Sequence, residues 1–391
     1  MTNQLEKARN LYSYAKGIRE RIHKNPELSF KEFETSSLVK HELDNMKIPW
    51  TAVGKTGIVG EITGTKSECG KVIAFRADMD ALEITETTGA EFASERPGIM
   101  HACGHDIHTA SLLAIAKILE SERNNFSGKI KLIFQPAEEL VLGASSMMKE
   151  NDFIKDVSAV VGYHVMPFLE TGTVGLRDGG LMFAGEGFKI FVKGKAGHGA
   201  QPKGSIDALL AASAIVLNTQ SIISHDTDPR ESAVVTICTM KSGTRHNIIS
   251  DFTEMAGTIR CYTEEKRSEL RKDLERIVKN TAEAYGAEGW VEWSMYVPPV
   301  YNDKELGKTI RNCCQKVLGE QGVIDCDGLT QSDDFSYYQQ KTSGYYILIG
   351  CTPANSSYVD IHSPDFLPDD NCIPYITACC VETALALLNN F

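Results

Sequence analysis

The stretch Lys71–Asp80, KVIAFRADMD, contains a short apolar run that ends in closely spaced charged residues. A run of this length and composition predicts a buried β-strand. Asp78 and Asp80 follow directly, and in open α/β sheets the ligand-binding groups lie just beyond the carboxyl ends of the strands. The stretch therefore predicts an α/β fold with a functional site at that edge of the sheet.

Three further apolar runs end in the same way, in residues that bind metals or transfer protons. They are KIKLIF before Gln135–Glu139, VSAVVG before Tyr163-His164, and GYYILIG, which is followed after a loop by Asp360–His362. Helical patterns alternate with these runs, as in a sheet that is covered by helices. We expect the four strand ends to meet at one edge of a mixed, mostly parallel sheet.

The middle of the chain has a different order of elements. Strand-like runs and helical patterns follow one another there as β-α-β-β-α-β, the order of a ferredoxin-like unit. This unit begins after Asp178-Gly179-Gly180 and ends at Pro298-Pro299. We therefore predict a discontinuous catalytic domain, residues 1–179 and 300–391, with an inserted ferredoxin-like lid domain, residues 180–299.

Composition and charge limit the class of protein. The 391 residues include 40 basic and 52 acidic side chains, and the resulting net charge of −12 argues against nucleic acid as a partner. We find neither an apolar run of about 18 residues nor a leader pattern, so we expect a cytoplasmic protein without a membrane span. The 11 cysteines are odd in number, and in a reducing compartment most would be buried small apolar side chains.

The densest chemical pattern is Met100–Ala110, MHACGHDIHTA, just before an apolar helical stretch. Cys103 and His105 offer a thiolate and an imidazole, which are typical zinc ligands, and Gly104 between them allows a tight turn. The same residues could instead cap a helix, or Cys103 could be a nucleophile with a neighbouring histidine as its base. A cysteine mechanism gives no role to the carboxylates and histidines at the other strand ends, so a metal site is favoured.

The number of candidate ligands indicates the kind of metal site. The candidates are Cys103, His105, Glu139, His164 and His362. One catalytic zinc usually takes three protein ligands and keeps a position for water, so five ligands indicate two metals with a shared ligand. Glu138, beside Glu139, is then the candidate general base for an attacking water. Such a pair of metals with a base is suited to hydrolysis.

These motifs resemble those of the aminoacylase/carboxypeptidase superfamily of two-metal hydrolases. Within it, the chain resembles the branch of hippurate hydrolase, auxin-conjugate (indoleacetyl-amino acid) hydrolases and N-acetyldiaminopimelate deacetylase. The resemblance runs from about Arg19 to the C-terminus. Its motifs are RADMDAL at Arg76–Leu82, the segment Met100–Ala110, Gln135–Glu139, AGHGAQP at Ala196–Pro202, Gly257–Arg260 and His362–Pro364.

For the metal site, the resemblance implies one role for each residue. Cys103 would be the bridging or near-bridging thiolate, and the other four candidate ligands would complete two metal shells. Asp78 would orient a histidine ligand from outside the shell. His101 and His108 are interpreted as structural, because the shells are complete without them. The cofactors would be two divalent ions, of manganese, zinc, cobalt or nickel.

For the substrate, the resemblance implies residues on the inserted domain. His198 would stabilise the oxyanion, and Asn247 and Arg260 would bind a carboxylate, for which the planar fork of arginine is well shaped. The implied reaction converts an N-acyl amino acid and water into a carboxylate and a free amino acid, in a homodimer formed through the lid. From the residues alone, Asp78 could be a turn residue, His198 part of a hairpin loop, and Arg260 a surface charge.

Two positions depart from the pattern of the family. Ser250 stands where relatives often carry proline, and Asp333 stands where glutamate is common, one methylene longer. The second change bears on the substrate pocket. Three alternatives stay open: a dipeptidase or aminopeptidase on the same metals, a non-catalytic metal-dependent binding protein, and a metal-independent cysteine hydrolase.

Overall fold

The structure, a computed structural model, describes residues 3–66 and 70–389, and the chain forms two compact units. The first unit comprises Met1–Gly179, Tyr301–Asp327 and Asp333–Phe391, and the second comprises Gly180–Val300 and Gly328–Ser332. The sequence predicts that residues 328–332 belong to the catalytic domain. They belong to the second unit because hydrogen bonds attach them to its first strands, for example from Ser332 Oγ to the carbonyl of Phe183 at 2.9 Å.

The part of the chain that the structure describes contains both helices and strands in each unit. The helices are α1 (Asn3–Asn10), α2 (Tyr12–Lys24), α3 (Phe33–Asn45), α4 (His105–Ser121), α5 (Gly143–Glu150), α6 (Ala208–Asn218), α7 (Gln220–Ser224), α8 (Glu264–Ala284), α9 (Lys304–Leu318), α10 (Ser336–Gln339) and α11 (Ile373–Asn389). The strands are β1 (Trp50–Val53), β2 (Gly57–Thr63), β3 (Val72–Asp78), β4 (Lys129–Gln135), β5 (Ala159–Glu170), β6 (Val174–Leu176), β7 (Gly179–Met182), β8 (Ala184–Lys193), β9 (Gly197–His198), β10 (Ala233–Ser242), β11 (Ile248–Ile249), β12 (Phe252–Cys261), β13 (Glu288–Val297), β14 (Val300–Asn302), β15 (Val323–Asp325) and β16 (Ser343–Thr352).

The first unit is built on an eight-stranded sheet with the strand order β1-β2-β4-β3-β5-β16-β6-β15. Its four central strands, β4, β3, β5 and β16, run parallel to one another. Antiparallel pairs join β1 to β2, β2 to β4 and β6 to β16. The mixed, mostly parallel sheet of the prediction is confirmed. These four central strands are the apolar runs that are followed by residues able to bind metals or transfer protons. Because the strands are parallel, those residues meet at one edge of the sheet.

Two buried helices cover this sheet. Most residues of α4 are buried, and it packs against α2, α11 and β3. The stretch Asp370–Asn389, which contains α11, is the one helix in the described part of the chain that is long and apolar enough to cross a membrane. The sequence shows no unbroken apolar run here, because Thr377, Glu382 and Thr383 interrupt it. Since 72% of its most apolar 18-residue window is buried inside the structure, it is a core helix of the first unit.

The second unit contains a four-stranded antiparallel sheet with the strand order β10-β12-β8-β13. Alternate residues of β8, namely Phe188, Ile190 and Val192, are buried in a core that includes apolar residues of α6 and α8. Along the chain the elements follow as β8, α6 with α7, β10, β12, α8 and β13. The predicted β-α-β-β-α-β unit is thereby confirmed.

Candidate metal centre

All five candidate ligands and Glu138 lie together at the carboxyl edge of the parallel strands. Three overlapping groups have ligand atoms within 4.8 Å of one another: Cys103, His105 and His164; Cys103, Glu139 and His362; and His105, Glu138 and Glu139. The first two groups share only Cys103. A ligand between two metals would occupy such a shared position.

The distances between donor atoms fit side chains that share a metal. Two ligands at about 2.0–2.3 Å from a tetrahedral metal lie roughly 3.3–3.8 Å apart. Cys103 Sγ lies 3.3 Å from His164 Nε2, and Glu139 Oε1 lies 3.5 Å from His362 Nε2. Mixed sulfur, nitrogen and oxygen donors at these separations suit zinc and similar divalent ions.

Two buried atoms of this cluster have no hydrogen-bond partner among the residues that the structure describes. They are His105 Nε2 and Glu139 Oε1. Buried polar atoms are rarely left without a partner, because desolvation then costs free energy that nothing offsets. Cations bound at these atoms would satisfy both of them, so the residues present fit a metal centre.

The outer nitrogens of two histidines are held so that the inner nitrogens face the cluster. His164 Nδ1 lies 2.7 Å from the carbonyl of Val165. His105 Nδ1 lies 2.9 Å from the carbonyl oxygen of Asp80 and 3.4 Å from its Oδ1. Such contacts fix the ring and leave Nε2 free to bind a metal.

The two acids of the RADMD motif have different contacts from those that the sequence implied. Asp78 was expected to orient a histidine ligand, but its Oδ1 lies 2.6 Å from Nδ1 of His108, which is not a candidate ligand. Asp78 Oδ1 lies 3.8 Å from Nε2 of His105, so it is not at the outer nitrogen, Nδ1, of that ring. The acid at the outer nitrogen of His105 is Asp80, which the sequence placed just beyond the end of a strand without assigning it a role.

The side chain of Asp80 also holds the two glutamates. Its Oδ1 accepts a hydrogen bond from the backbone of Glu138 at 3.0 Å, and its Oδ2 accepts one from Glu139 at 3.1 Å. Ser29 Oγ donates to the same Oδ2 at 2.6 Å. Asp80 thus contacts His105, a candidate ligand, and holds the backbone of Glu139, a candidate ligand, and of Glu138, the candidate base. The motif position directly after β3 was the signal that could have identified it.

The surroundings of Glu138 increase the affinity of its carboxylate for a proton. Its carboxylate lies within 4.8 Å of those of Asp333 and Asp334, and all three side chains are buried. Burial first, and then the charge of Asp333, raises the pKa of Glu138 well above its ordinary value. A raised pKa suits a group that takes up a proton near neutral pH.

The surroundings of Cys103 are unsuited to a nucleophile. Burial and the neighbouring charges of Glu139 and Glu138 raise the pKa of its thiol well above the ordinary value. A reactive cysteine needs an electropositive environment that stabilises its thiolate, and this one is electronegative. A bound metal displaces the thiol proton, so the same position suits a ligand.

The remaining two histidines of the motif have different degrees of hydrogen bonding. His108 uses both ring nitrogens, because Nδ1 bonds Asp78 and Nε2 accepts from the backbone of Val165 at 2.9 Å. This agrees with the structural role that was expected of it. His101 is buried, and neither nitrogen has a partner in the described part of the chain. Burial lowers the pKa of His101 to about 3, so its ring is neutral.

The three predicted substrate residues belong to the second unit. His198 is exposed in β9, and its Nδ1 accepts from the backbone of Ala200 at 3.1 Å. Asn247 is its neighbour, because the backbone of Gly199 donates to the Asn247 carbonyl at 2.9 Å. Arg260 lies in β12 and donates from Nη1 to Ser332 Oγ at 3.1 Å.

Comparisons with known proteins cover the whole site. The model of the Peptidase family M20/M25/M40 matches residues 74–384. An N-acetylcysteine deacetylase of Bacillus subtilis (strain 168) is 36% identical over 375 residues, which cover 95% of this chain and 96% of that protein. The IAA-amino acid hydrolase ILR1-like 4 of Arabidopsis thaliana is 38% identical over 378 residues, with coverages of 95% and 85%.

A solved structure agrees with these matches. The Bacillus subtilis YXEP protein, a dinuclear metal binding peptidase from the M20 family, superposes with a TM-score of 0.85 at 34% identity. The superposition covers 98% of this chain and 100% of that one. The family match includes every candidate ligand and Glu138. This chain therefore belongs to the Peptidase family M20/M25/M40 and is a metal-dependent amidohydrolase.

Proposed function

We propose that the protein hydrolyses the amide bond of N-acyl amino acids and releases a carboxylate and a free amino acid. The observation that carries this proposal is the pair Glu138–Glu139 at the end of β4. Glu139 contributes to the cluster of metal-binding donors, while Glu138 lies beside it among acids that raise its pKa. The deacetylase and the IAA-amino acid hydrolase among its relatives support this substrate class.

The proposed mechanism assigns each step to a residue of the chain. Two divalent ions held by Cys103 and the other four ligands would polarise the substrate carbonyl and lower the pKa of water. Glu138 takes a proton from the attacking water as the new C–O bond forms, and it passes that proton to the leaving nitrogen as the C–N bond breaks. His198 donates to the oxygen that becomes negatively charged.

Substrate recognition is proposed to depend on the free carboxylate of the amino acid. Arg260, with Asn247, would bind it, since the guanidinium matches a carboxylate with two parallel hydrogen bonds. The identity of the metals, a homodimer through the second unit, and a cytoplasmic location stay predictions.

The test measures the release of free amino acid from N-acetyl amino acids, N-benzoyl amino acids and dipeptides. Each substrate is assayed with chelated enzyme and with enzyme restored by Mn²⁺, Zn²⁺, Co²⁺ or Ni²⁺. We expect metal-restored hydrolysis of N-acyl amino acids. Activity that survives chelation would contradict the metal mechanism and favour Cys103 as a nucleophile. Hydrolysis of dipeptides alone would favour the dipeptidase alternative, and binding without turnover would favour the non-catalytic one.

A further inference from the structure

The turn after β4 has a rare backbone conformation just before the proposed base. Ala137 has a φ of 52°, in the left-handed region that L side chains seldom adopt. It is also fully buried. A residue keeps such a conformation only where the surrounding contacts hold it there. The contacts of the Ala137 backbone therefore determine how the chain enters Glu138.

Glu32, immediately before α3, holds this backbone. It is fully buried, and its Oε1 accepts a hydrogen bond from the backbone of Ala137 at 3.0 Å, although the two residues are 105 positions apart. The same oxygen accepts one from the backbone of Phe30 at 2.8 Å, and Oε2 accepts one from Thr56 Oγ1 at 2.6 Å. Phe30 is also left-handed, with a φ of 61°. One carboxylate oxygen thus holds two left-handed residues.

Asp80 continues this pattern at the next two residues of the turn. It accepts from the backbone N–H groups of Glu138 and Glu139. Two buried carboxylates therefore hold three consecutive N–H groups, those of residues 137, 138 and 139. Asp80 also contacts His105 directly, whereas none of the hydrogen bonds described for Glu32 reaches a candidate ligand or the side chain of Glu138. Glu32 acts on the site through the backbone of Ala137.

We propose that Glu32 is a positioning residue for Glu138, a proposal that rests on the function proposed for Glu138. Its carboxylate sets the backbone of Ala137 and thereby the direction in which the base leaves the turn. All three partners of Glu32 donate hydrogen bonds. A glutamine can accept both N–H groups through Oε1 while Thr56 Oγ1 accepts from its Nε2. An alanine leaves the buried N–H group of Ala137 and the part-buried N–H group of Phe30 without this acceptor.

Glu27 offers a matched control in the same segment. It is buried as well, at 4% exposure, and its carboxylate accepts from the backbone of Glu34 at 3.0 Å and of Thr35 at 2.9 Å. These two bonds hold the start of α3 and do not involve the turn after β4. Glu27→Ala therefore removes a comparable buried carboxylate without touching Ala137.

The experiment compares Glu32→Ala, Glu32→Gln and Glu27→Ala on an N-acetyl amino acid at saturating Mn²⁺. We expect Glu32→Ala to lower kcat by about 10- to 100-fold, the usual effect of losing a residue that supports a ligand or base, with KM within about threefold. Glu32→Gln should keep kcat within about threefold of wild type. Glu27→Ala should lower the melting temperature and leave kcat nearly unchanged. Should Glu32→Ala fail to fold, Glu32→Asp takes its place, because its side chain keeps the charge but not the reach.

Metal affinity gives a second readout that needs no turnover. Glu139 lies in the same turn, so Glu32→Ala should weaken Zn²⁺ binding by about tenfold in competition with a chromogenic chelator, and Glu32→Gln should restore it. An inactive wild-type enzyme would refute the proposed function, while this readout would still test the positioning. The positioning role of Glu32 would be overturned if Glu32→Ala kept both kcat and Zn²⁺ affinity close to those of wild type. Equal losses in Glu27→Ala or in Glu32→Gln would overturn it too, since they indicate general destabilisation or a need for charge.

Discussion

Glu138 and Glu139 are neighbours in the chain, and their surroundings separate their roles. Glu139 Oε1 has no hydrogen-bond partner in the described part of the chain and lies 3.5 Å from His362 Nε2. It is placed to bind a cation. Glu138 lies within 4.8 Å of Asp333 and Asp334, in a set of three buried carboxylates. Repulsion between like charges raises the affinity of such a set for a proton, which suits a group that accepts a proton from water.

Glu138→Ala is expected to separate metal binding from turnover. The variant should lower kcat by about a hundredfold to ten-thousandfold, because a positioned base contributes roughly that much. Metal content, measured by elemental analysis after dialysis, should stay at the wild-type ratio, since the five ligands are intact. A rate near that of wild type would remove Glu138 from its role as base.

Arg260→Ala is expected to impair only substrates that carry a free carboxylate. On an N-acetyl amino acid, kcat/KM should fall by about 10- to 100-fold, the effect of losing a charge-assisted hydrogen bond. On the carboxyl-amide of the same substrate, the change should be small. Arg276→Ala, an exposed arginine on α8 that pairs with Asp226 and Asp273, is the control for general effects. An equal loss on both substrates would refute carboxylate binding by Arg260.

At the scale of elements, the junction between Cys103 and α4 determines where two ligands lie. Gly104 joins them with a φ of 84°, as expected from a glycine between two ligands. A Cβ there would lie only 2.4 Å from Cγ2 of Val165, which follows the ligand His164 in β5. The start of α4 therefore packs directly against β5, and this contact brings together the candidate ligands Cys103, His105 and His164.

Gly104→Ala is expected to reduce both stability and metal affinity. The left-handed conformation alone should cost about 1–2 kcal/mol, and the clash with Val165 should add about 1–3 kcal/mol. Gly98→Ala is the matched control, because Gly98 has a φ of 80° and no atom within 4 Å of an added Cβ. Urea denaturation and Zn²⁺ competition measure the two effects. Equal losses in both variants would contradict a role for the contact with Val165.

At the scale of the molecule, a buried ionic cluster connects α2 to the start of α4. His23 Nδ1 lies 2.7 Å from Asp106 Oδ2, and Arg19 Nε lies 2.9 Å from the same oxygen. Glu86 Oε1 faces the other nitrogen of His23 at 3.3 Å, and the ring of His101 is 6.3 Å away between centroids. Burial lowers the pKa of His23, but the carboxylates of Asp106 and Glu86 outweigh burial and raise it above the ordinary value.

The stability of the fold is expected to fall as pH rises above the ordinary pKa of histidine. Because the pKa of His23 is raised in the folded state, its proton stabilises the fold fully below about pH 6.5, and this contribution is lost as pH rises through the folded pKa. In this range the free energy of unfolding of wild type should fall by up to about 1.4 kcal/mol more per pH unit than that of His23→Gln.

Urea denaturation of chelated protein between pH 6 and pH 9 measures this difference. His41→Gln, an exposed position on α3, is the control and should behave like wild type. If the free energies of unfolding of wild type and His23→Gln changed in parallel with pH, this would contradict a raised pKa of His23 in the folded state.

Much of the fold and of the site could be predicted because the signals are local. The periodicity of each apolar run predicts a strand or a helix from neighbouring residues. The residues that follow four of these runs predict that four strands end in side chains able to bind metals or transfer protons. The ligand types follow from side-chain chemistry: Cys103, His105, Glu139, His164 and His362 were candidates from the sequence, and the structure brings all five together.

The sequence by itself thus determined the family, the α/β class and the residues of the candidate metal site. The tertiary structure alone decided that Asp80, and not Asp78, lies at the outer nitrogen of His105. It also decided that Glu32 reaches Ala137 from 105 positions away. These contacts join distant segments, and they depend on which side chain the packed backbone directs into a given space, which no local pattern encodes.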